Sequence, residues 1–403
     1  MARQRAAAAG ASSLVKHALF IASLLASALF SVAASAQGFS NSEILGVPAG
    51  IELESIRVRF THFDQTGRGY QSQADRPNLH RPGSEDITIE QPQLEIVAKQ
   101  GKATHRLSVP VDIITAASPD ALDAVSTASR VNEAGNFQLD TRYQQDRRTA
   151  WLFHANFHLE EPFRSWTLGV GGAHAFAEDN TVFAWSLNQV VDWLDRFNIF
   201  GTRLGRGYRS TTNLNVSLTQ LLSPTTVGYV GYSFTFQTGE LGNTWNSIAV
   251  DMGNDKIELD GEKLPSVRHR HALVARLSQS LPWDGILKLS YRFYVDSWSL
   301  IGNTIEAQLY QRVGRHLYVR ANYRFHHQTG VGFFTAIADV AAPLRTADSD
   351  LAPFVAHTVG GLIAVNLKAP RLRDLHLDFG YERYFRSNDL SVNIYTCAMG
   401  FLF

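Results

Sequence analysis

The sequence predicts an all-β fold, a transmembrane antiparallel up-and-down β-barrel, and three observations support it. Segments such as 226–236, 287–296 and 316–326 alternate apolar and polar residues, the period of a β-strand with two unlike faces. They reach the roughly 9–11 residues that a tilted strand needs to cross a bilayer, and they exceed the usual strands of a soluble sandwich. Their polar faces carry Arg, Glu and Asp in mid-strand while their apolar faces carry aromatic residues, as in an outer-membrane barrel.

The alternation predicts about sixteen strands, an even number as in bacterial single-chain barrels. The predicted strands are 51–64, 86–99, 103–115, 136–144, 149–160, 166–176, 181–193, 211–221, 225–237, 268–280, 285–296, 302–313, 316–328, 354–367, 374–385 and 390–403. The division between 136–144 and 149–160 rests partly on keeping this number even, so fourteen strands is the alternative.

Short turns and long loops alternate between the predicted strands. Short turns belong to the periplasmic side of such barrels and long loops to the exterior, so both termini are predicted to be periplasmic. The short turns are predicted at 100–102, 145–148, 177–180, 222–224, 281–284, 314–315 and 368–373, and the longest loops at 65–85, 116–135, 194–210, 238–267 and 329–353.

Residues 1–36 are predicted to be a cleaved signal peptide. Arg3, Arg5 and Lys16 form a basic region, an apolar stretch follows at 18–32, and Ala34-Ser35-Ala36 matches the small-residue cleavage pattern. Residues 37–50 then form a short periplasmic segment, and the barrel occupies 51–403. No later segment is long and apolar enough for a helical span, so the predicted location is the outer membrane of a Gram-negative bacterium.

The end of the chain carries a predicted assembly signal. Tyr395, Met399, Phe401 and Phe403 share one parity of the last strand, and the chain ends in an aromatic residue. This pattern resembles the C-terminal strand that barrel-assembly machinery reads, so that machinery is a predicted partner. Cys397 lies on the same parity and is interpreted as a small apolar residue on the lipid side.

The composition excludes several classes of protein. The chain has 37 Lys and Arg against 37 Asp and Glu, 11% aromatic residues and one cysteine. Such an apolar and aromatic chain is not disordered, and the lack of a basic excess argues against nucleic acid as a partner. No spacing of Cys and His indicates a zinc site, so no metal and no cofactor is expected.

Several segments resemble an uncharacterised bacterial outer-membrane family, known as domain of unknown function 3570. The resemblance implies a barrel in the outer membrane and implies no established activity. The matching segments are 219–226, 291–298 continuing to Thr304, 323–328 leading into Phe333-Phe334, 347–351 continuing to Gly360, and less closely 111–118 with 140–142.

The predicted lumen lining is strongly charged and uneven. Basic residues dominate the strands from 268 to 328, and acidic residues dominate 374–385, an arrangement that would create a transverse field and favour anions. The alternative is a structural ladder in which these charges pair with neighbours in a wet interior. The candidates are Arg268, Arg270, Arg276, Arg292, Asp296, Glu306, Arg312, Arg320, Arg324, Asp374, Asp378 and Glu382.

The leading functional hypothesis is porin-like passage of small polar or anionic solutes. A closed sheet of sixteen strands encloses an aqueous channel unless something fills it, and 37–50 is too short for a plug domain. Loops 238–267 and 329–353 are long enough to fold inward, although shielding of lipopolysaccharide is an equal alternative. A ring of Trp at the membrane interfaces is also predicted, from Trp166, Trp193, Trp245, Trp283 and Trp298.

Two other classes of function stay open. A barrel enzyme would need a nucleophile and a base; His376 shares a face with Asp378 and His326 with Arg324, but no Ser lies in a nucleophile motif. His269 and His271 have the spacing of a strand metal site but fall on the outer face. A barrel that docks a periplasmic or surface partner through its loops is the third class.

Overall fold

The computed structural model describes residues 50–67, 86–116, 133–160, 163–197, 202–242, 246–254, 256–368 and 373–403. These residues form a closed barrel of sixteen antiparallel strands. The predicted fold class and strand number are therefore confirmed, and the alternative of fourteen strands is wrong. Residues 1–36, nearly all of 37–50, most of loops 65–85 and 116–135, and Trp245 lie outside the described residues.

Each barrel strand pairs with its neighbours along the chain, and the first strand pairs with the last to close the sheet. The barrel strands are β1 (Glu52–Gly67), β2 (Ile87–Gln100), β3 (Ala103–Ala116), β4 (Glu133–Gln144), β5 (Thr149–Glu160), β6 (Phe163–Phe176), β7 (Thr181–Phe197), β8 (Arg203–Ser223), β9 (Thr226–Gly239), β12 (Val267–Leu281), β13 (Gly285–Asp296), β14 (Ile301–Val313), β15 (Leu317–Gln328), β17 (Phe354–Leu367), β18 (Asp374–Arg386) and β19 (Leu390–Leu402). Three shorter strands, β10 (Ser247–Asp251), β11 (Ile257–Gly261) and β16 (Ile337–Asp339), form a separate sheet.

The two ends of the barrel differ in their connections. At one end, here called the turn end, short turns join the strands, as at 101–102, 145–148 and 282–284. Gly101 adopts a φ of 56° in one such turn, a left-handed conformation that glycine tolerates best. The opposite end, here called the loop end, carries the long segments 240–266 and 329–353.

The stretch 194–210, predicted as a loop, is mostly strand. β7 continues to Phe197 and β8 starts at Arg203. The two strands stay paired up to Phe197 and Arg203, with one shift of register between Arg196 and Phe197. Asp195 forms an ion pair with Arg203 on this extension. Charged residues lie on both faces of this extension, with Asp195 and Arg206 on one face and Arg196 on the other, so the alternation that identifies a strand disappears there.

The two long loop-end segments are folded together. β10 pairs antiparallel with β11 and parallel with β16, which joins 238–267 to 329–353. An apolar cluster of Ile248, Val250, Ala338 and Ala347 stabilises the small sheet. These segments therefore form an ordered loop sheet at the loop end of the barrel.

The outer face of the barrel is apolar, as the alternation predicts. Leu168, Leu289 and Phe379 are among its exposed apolar side chains. Cys397 and the predicted assembly residues share this outward parity, while the role in assembly stays a prediction. The described residues contain no helix that is long and apolar enough to cross a membrane.

Four tyrosines in the middle of their strands, on the outer face, share one arrangement. In each, the phenol contacts a polar residue on the neighbouring strand, diagonally displaced toward the loop end. Each tyrosine hydroxyl therefore has a hydrogen-bond partner although it lies on an apolar surface. The pairs are Tyr232 with His271 (2.7 Å), Tyr291 with Asn303 (2.7 Å), Tyr323 with His357 (2.9 Å) and Tyr381 with Asn393 (3.0 Å).

Candidate solute-binding cavity in the barrel lumen

The register of the strands determines which charged residues share the inner face. Cross-strand partners such as Glu306 and Arg324 lie side by side, and the same parity continues around the barrel. All of the predicted lumen residues lie on this parity; their contribution to selectivity stays a prediction. They are Arg268, Arg270, Arg276, Arg292, Asp296, Glu306, Arg312, Arg320, Arg324, Asp374, Asp378 and Glu382.

Two acidic residues of β18 form ion pairs that skip a strand. Asp378 pairs with Arg57 of β1, and Glu382 accepts a 2.9 Å hydrogen bond from Arg320 of β15. Small inner residues on the intervening strands leave room for these contacts: a Cβ on Gly360 would lie 2.5 Å from Cγ of Glu382. These acids therefore do not stand as an isolated negative wall.

Several arginines on the nearby strands β12 to β15 have no carboxylate partner. Among the described residues, no ion pair involves Arg276, Arg292, Arg312 or Arg324. Arg276 lies 5.0 Å from the ring centroid of Tyr229, and Arg292 lies 5.4 Å from that of Tyr294. All four arginines are exposed to the lumen. Glu306, the cross-strand partner of Arg324, offsets only part of their charge, so this wall keeps an excess of positive charge.

The inner face of β7 to β9 is neutral. Hydrogen bonds join its polar side chains into a ladder: Ser233 donates to Asn215 at 2.7 Å and Thr235 donates to Asn213 at 2.8 Å. This wall is hydrophilic and carries little charge, so the field in the lumen comes from the arginine wall and from β18.

At the loop end, two inward ion pairs are buried, whereas Arg270 beside them is in no ion pair of the described residues. Arg268 donates from Nε to Asp296 at 2.9 Å, with side chains only 8% and 0% exposed. Two strands away, Arg209 of β8 donates to Asp192 of β7 at 2.5 Å. Of the predicted candidates, Arg268 and Asp296 are thus residues of a closed rim.

Trp298 belongs to this rim and not to an interfacial ring. It is 4% exposed, its ring lies 4.1 Å from Cζ of Arg268, and it packs against Phe333 with centroids 5.4 Å apart. The prediction of an interfacial role is wrong for Trp298, because Asp296 accepts from its backbone N–H and holds the connection 297–300 inward. Trp166, Trp193 and Trp283 are exposed as predicted.

A cavity of about 490 Å³ lies in the lumen below this rim. Arg324, His326, Tyr384 and Arg386 provide polar groups in its lining, and Phe354 an apolar surface. A short 3-10 helix, Ser349–Leu351, contributes Asp350 to the lining at the loop end. The cavity therefore combines guanidinium groups with an apolar wall.

Gln328 and Arg386 hold the 3-10 helix against the barrel. Gln328 donates to the backbone oxygens of Asp350 and Ala352, both at 2.8 Å. Arg386 contacts Asp350 at 2.6 Å. The prediction from sequence missed Arg386, because the predicted strand ended at residue 385; the parity of Tyr384 would have identified it.

The family model described as protein of unknown function (DUF3570) matches residues 133–396. This range is well over half of the chain. The chain belongs to this family. No curated protein matches the sequence significantly. The resemblance seen in the sequence segments is thereby confirmed.

Several solved outer-membrane barrels are similar to this DUF3570 protein. A BenF-like porin from Pseudomonas fluorescens Pf-5 is 8% identical with a TM-score of 0.46, covering 88% of this chain and 99% of that chain. OpdQ from Pseudomonas aeruginosa is 10% identical with a TM-score of 0.44, and the match covers 86% of this chain and 97% of OpdQ. The siderophore receptor PirA from Pseudomonas aeruginosa is 11% identical with a TM-score of 0.40, covering 83% of this chain and 56% of that chain. The chain thus spans little more than half of that receptor, and these likenesses concern the barrel fold alone.

A second cavity of about 620 Å³ lies on the far side of the lumen of the DUF3570 protein. Arg106, Asp140, Arg142 and His154 line it, and His154 contacts Asp140 at 2.7 Å. Gly169 also lines this cavity; a Cβ there would lie 1.8 Å from Oδ1 of Asn188. Its basic and acidic groups are mixed, so it favours no single charge of solute.

The histidines singled out from sequence show no catalytic arrangement in the DUF3570 protein. His326 contacts Thr304 at 2.8 Å and Gln328 at 3.2 Å, and no ion pair joins His376 to another described residue. His269 and His271 pack against Phe234 on the outer face. Within the described residues no group of three or more His, Cys, Asp or Glu could hold a metal ion.

Proposed function

We propose that this DUF3570 protein is a porin-like barrel of a Gram-negative outer membrane that passes small polar solutes, preferentially anions. One observation carries the proposal: the described wall of β12 to β15 exposes four arginines that form no ion pair, whereas Glu306 is the one acid of that wall without an ion pair and the neighbouring acids Asp378 and Glu382 are paired. This excess of positive charge attracts anions, because low-dielectric walls focus the field of the arginines.

The orientation follows the usual asymmetry of such barrels. We place the turn end in the periplasm and the loop end outside, with both chain termini periplasmic. The signal peptide 1–36 would direct export, and the last strand would direct assembly. Membrane lipid would contact the apolar outer face, and lipopolysaccharide would surround the loop end.

The chemistry of the arginines suits weak, reversible contact with anions. Guanidinium groups offer a planar fork of donors that matches carboxylate or phosphate, and Arg292 and Arg324 are exposed to solvent. Exposed charges bind weakly in water-filled surroundings, which permits a solute to enter and leave. The buried rim at the loop end restricts passage to small solutes.

Planar-bilayer recording tests the proposal directly. Purified wild-type protein is expected to give conductance steps and a reversal potential that indicates anion preference in a salt gradient. Replacing Arg292 and Arg324 together by Gln should lower the anion-to-cation permeability ratio at least about twofold, since two focused charges are removed. Arg383→Gln on the outer face serves as the matched control. No conductance from a properly folded barrel removes the pore, and an unchanged ratio makes both arginines structural.

A second candidate function is docking of a surface partner on the loop sheet. Met252, Val340 and Leu344 are exposed there on folded loops, and exposed apolar residues can mark an interaction site. A photo-reactive residue that replaces Met252 should then form a covalent adduct with a partner protein in intact cells. The same residue in place of Trp283, at the turn end, should form no such adduct. Equal labelling at both positions excludes docking at this sheet. We propose no enzymatic activity.

A further inference from the structure

We propose that the cavity below residues 349–351 is a binding site for a small carboxylate, and that Asp350 occupies the carboxylate position in the unliganded protein. The inference rests on the proposed function, because the solute would reach the cavity through the lumen. Beyond the proposed function, the inference names the class of solute, the arginine that binds it (Arg386) and a side chain that competes with it (Asp350).

Arg386 is the centre of the site. Its side chain is 5% exposed, and the guanidinium lies 4.3 Å from the ring centroid of Phe354. Nε donates to the hydroxyl of Tyr384 at 2.5 Å, and Nη2 contacts Asp350. Nη1 is buried without a hydrogen-bond partner. A buried donor without a partner costs free energy, so Nη1 indicates that Arg386 can donate a further hydrogen bond to a ligand.

The ion pair between Asp350 and Arg386 is a weak one. It contacts Nη2 alone, and its side chain is 44% exposed although that of Arg386 is buried. A carboxylate that reaches both Nη1 and Nη2 forms two parallel hydrogen bonds, which is the stronger arrangement. A solute carboxylate can therefore replace Asp350, which gains hydration when it leaves.

The rest of the lining indicates what the carboxylate is attached to. Phe354 and Ile394 line the cavity with apolar surface, and Arg324 provides a further cation. Glu306 and Glu382 also line the cavity; Arg320 holds Glu382 in an ion pair, and Glu306 accepts a hydrogen bond from Gln308. A monocarboxylate with a short apolar or aromatic group fits this combination in a cavity of about 490 Å³.

Displacement of Asp350 also loosens the 3-10 helix above the cavity. The helix region would keep its hydrogen bonds from Gln328 and from Asn388, which donates to the backbone oxygen of Ser349 at 3.3 Å. Carboxylate binding is thus coupled to release of one of the contacts that close the loop end. The apparent affinity is lowered by the fraction of molecules in which Asp350 holds the arginine.

Titration calorimetry on the full-length barrel in detergent tests the site, with phenylacetate as the probe and neutral phenylacetamide as its isostere. Phenylacetate should bind the wild type, and the amide should not. Asp350→Asn should bind phenylacetate at least about fivefold more tightly, because the competitor is gone. Arg386→Gln should weaken binding at least about tenfold, with Arg386→Lys between the two.

Arg383→Gln, which removes an exposed arginine from the outer face of β18, is the matched control and should bind like wild type. Far-UV circular dichroism verifies that each variant is a folded barrel; if Arg386→Gln does not fold, Asp350→Asn still decides. Equal affinities of wild type and Asp350→Asn, equal binding of the amide, or no binding to either protein overturns the inference. Conductance without phenylacetate binding leaves the porin proposal standing, and binding without conductance leaves the site standing.

Discussion

The two ends of the lumen differ in whether their arginines are buried in ion pairs or exposed. At the loop end, Arg268 and Asp296 are buried and bonded to each other, and Trp298 covers the guanidinium. Toward the turn end, Arg276 and Arg312 face the lumen, exposed and without an ion pair in the described chain. The same residue type is thus structural at one end and available to solutes at the other.

This difference shows where the barrel is narrow. Burying a charge costs several kcal/mol unless a partner compensates it, so unpaired charges persist only where water reaches them. We interpret the buried Arg268–Asp296 and Arg209–Asp192 pairs as a constriction at the loop end, and the exposed arginines as the lining of a wet vestibule toward the turn end, where Arg57 and Asp378 are nevertheless paired. Under the proposed function, selectivity would reside below the constriction, and the buried pairs would stabilise the constriction itself.

The largest expected effect separates two tryptophans. Trp298→Ala should lower the free energy of unfolding by about 4 kcal/mol, since a fully packed aromatic side chain is lost. Trp283→Ala at the turn end, where the side chain is 61% exposed, should cost less than about 1 kcal/mol. Urea titration of the barrel in lipid vesicles measures both. Equal losses would contradict a packed rim at the loop end.

Charge removal should sharpen the same contrast. Asp296→Asn leaves Arg268 buried without its counterion and should lower the free energy of unfolding by about 3 kcal/mol. Asp374→Asn, on the inner face at the turn end, should change it by less than about 0.5 kcal/mol. The same urea titration applies. A large loss for Asp374→Asn would show that the turn end is also closed.

Thiol labelling should report the accessibility of the two ends. In a Cys397→Ser background, Ser278→Cys near the turn end should react with a polar maleimide at least about tenfold faster than Ser165→Cys, whose position is buried. The rates are measured by mass shift in detergent. Similar rates would mean that water reaches both ends equally and that the constriction does not exist.

The smallest expected effect concerns pH and the loop sheet. Burial raises the pKa of Glu262 to about 7, against opposing hydrogen bonds from Thr346, Asn246 and the backbone of Ala347 and Asp348. The folded loops therefore favour the protonated acid, and this stabilisation is lost as the pH rises through about 7. The loops should be about 1 kcal/mol less stable at pH 8 than at pH 6.

Limited proteolysis of the loop sheet measures this effect as a cleavage rate about fivefold faster at pH 8. Glu262→Gln should remove the pH dependence, because the neutral amide matches the protonated acid in shape. Asp251→Asn on an exposed position of the same sheet is the control. A pH dependence that persists in Glu262→Gln would assign it to another group, such as Asp348.

The sequence predicts the barrel well because each strand obeys a local rule. Alternation along β13 or β15 determines which residues face lipid, and one parity suffices to place Arg292 and Arg324. The rule fails where the environment is the same on both faces, as in the extension that ends β7. It also missed Arg386, one residue beyond the predicted end of its strand.

Contacts that skip a strand are beyond such a local rule. Asp378 reaches Arg57 across β19 because the inner residues of that strand are small, and Arg320 reaches Glu382 across β17. Which charges are neutralised therefore depends on the closed geometry. The loop sheet is similarly non-local, since β16 pairs with a strand from a different loop.

The four tyrosines with diagonal partners have a consequence for how the barrel contacts its membrane. Each phenol is anchored by a hydrogen bond to His or Asn on the half of the barrel from β9 to β19. Exposed apolar residues such as Phe293, Ile301 and Phe385 continue beyond the tyrosines toward the loop end, so these polar groups lie within the apolar surface. Because each hydroxyl is already hydrogen-bonded to its neighbour, phenols, imidazoles and amides can face hydrocarbon there without an unsatisfied donor.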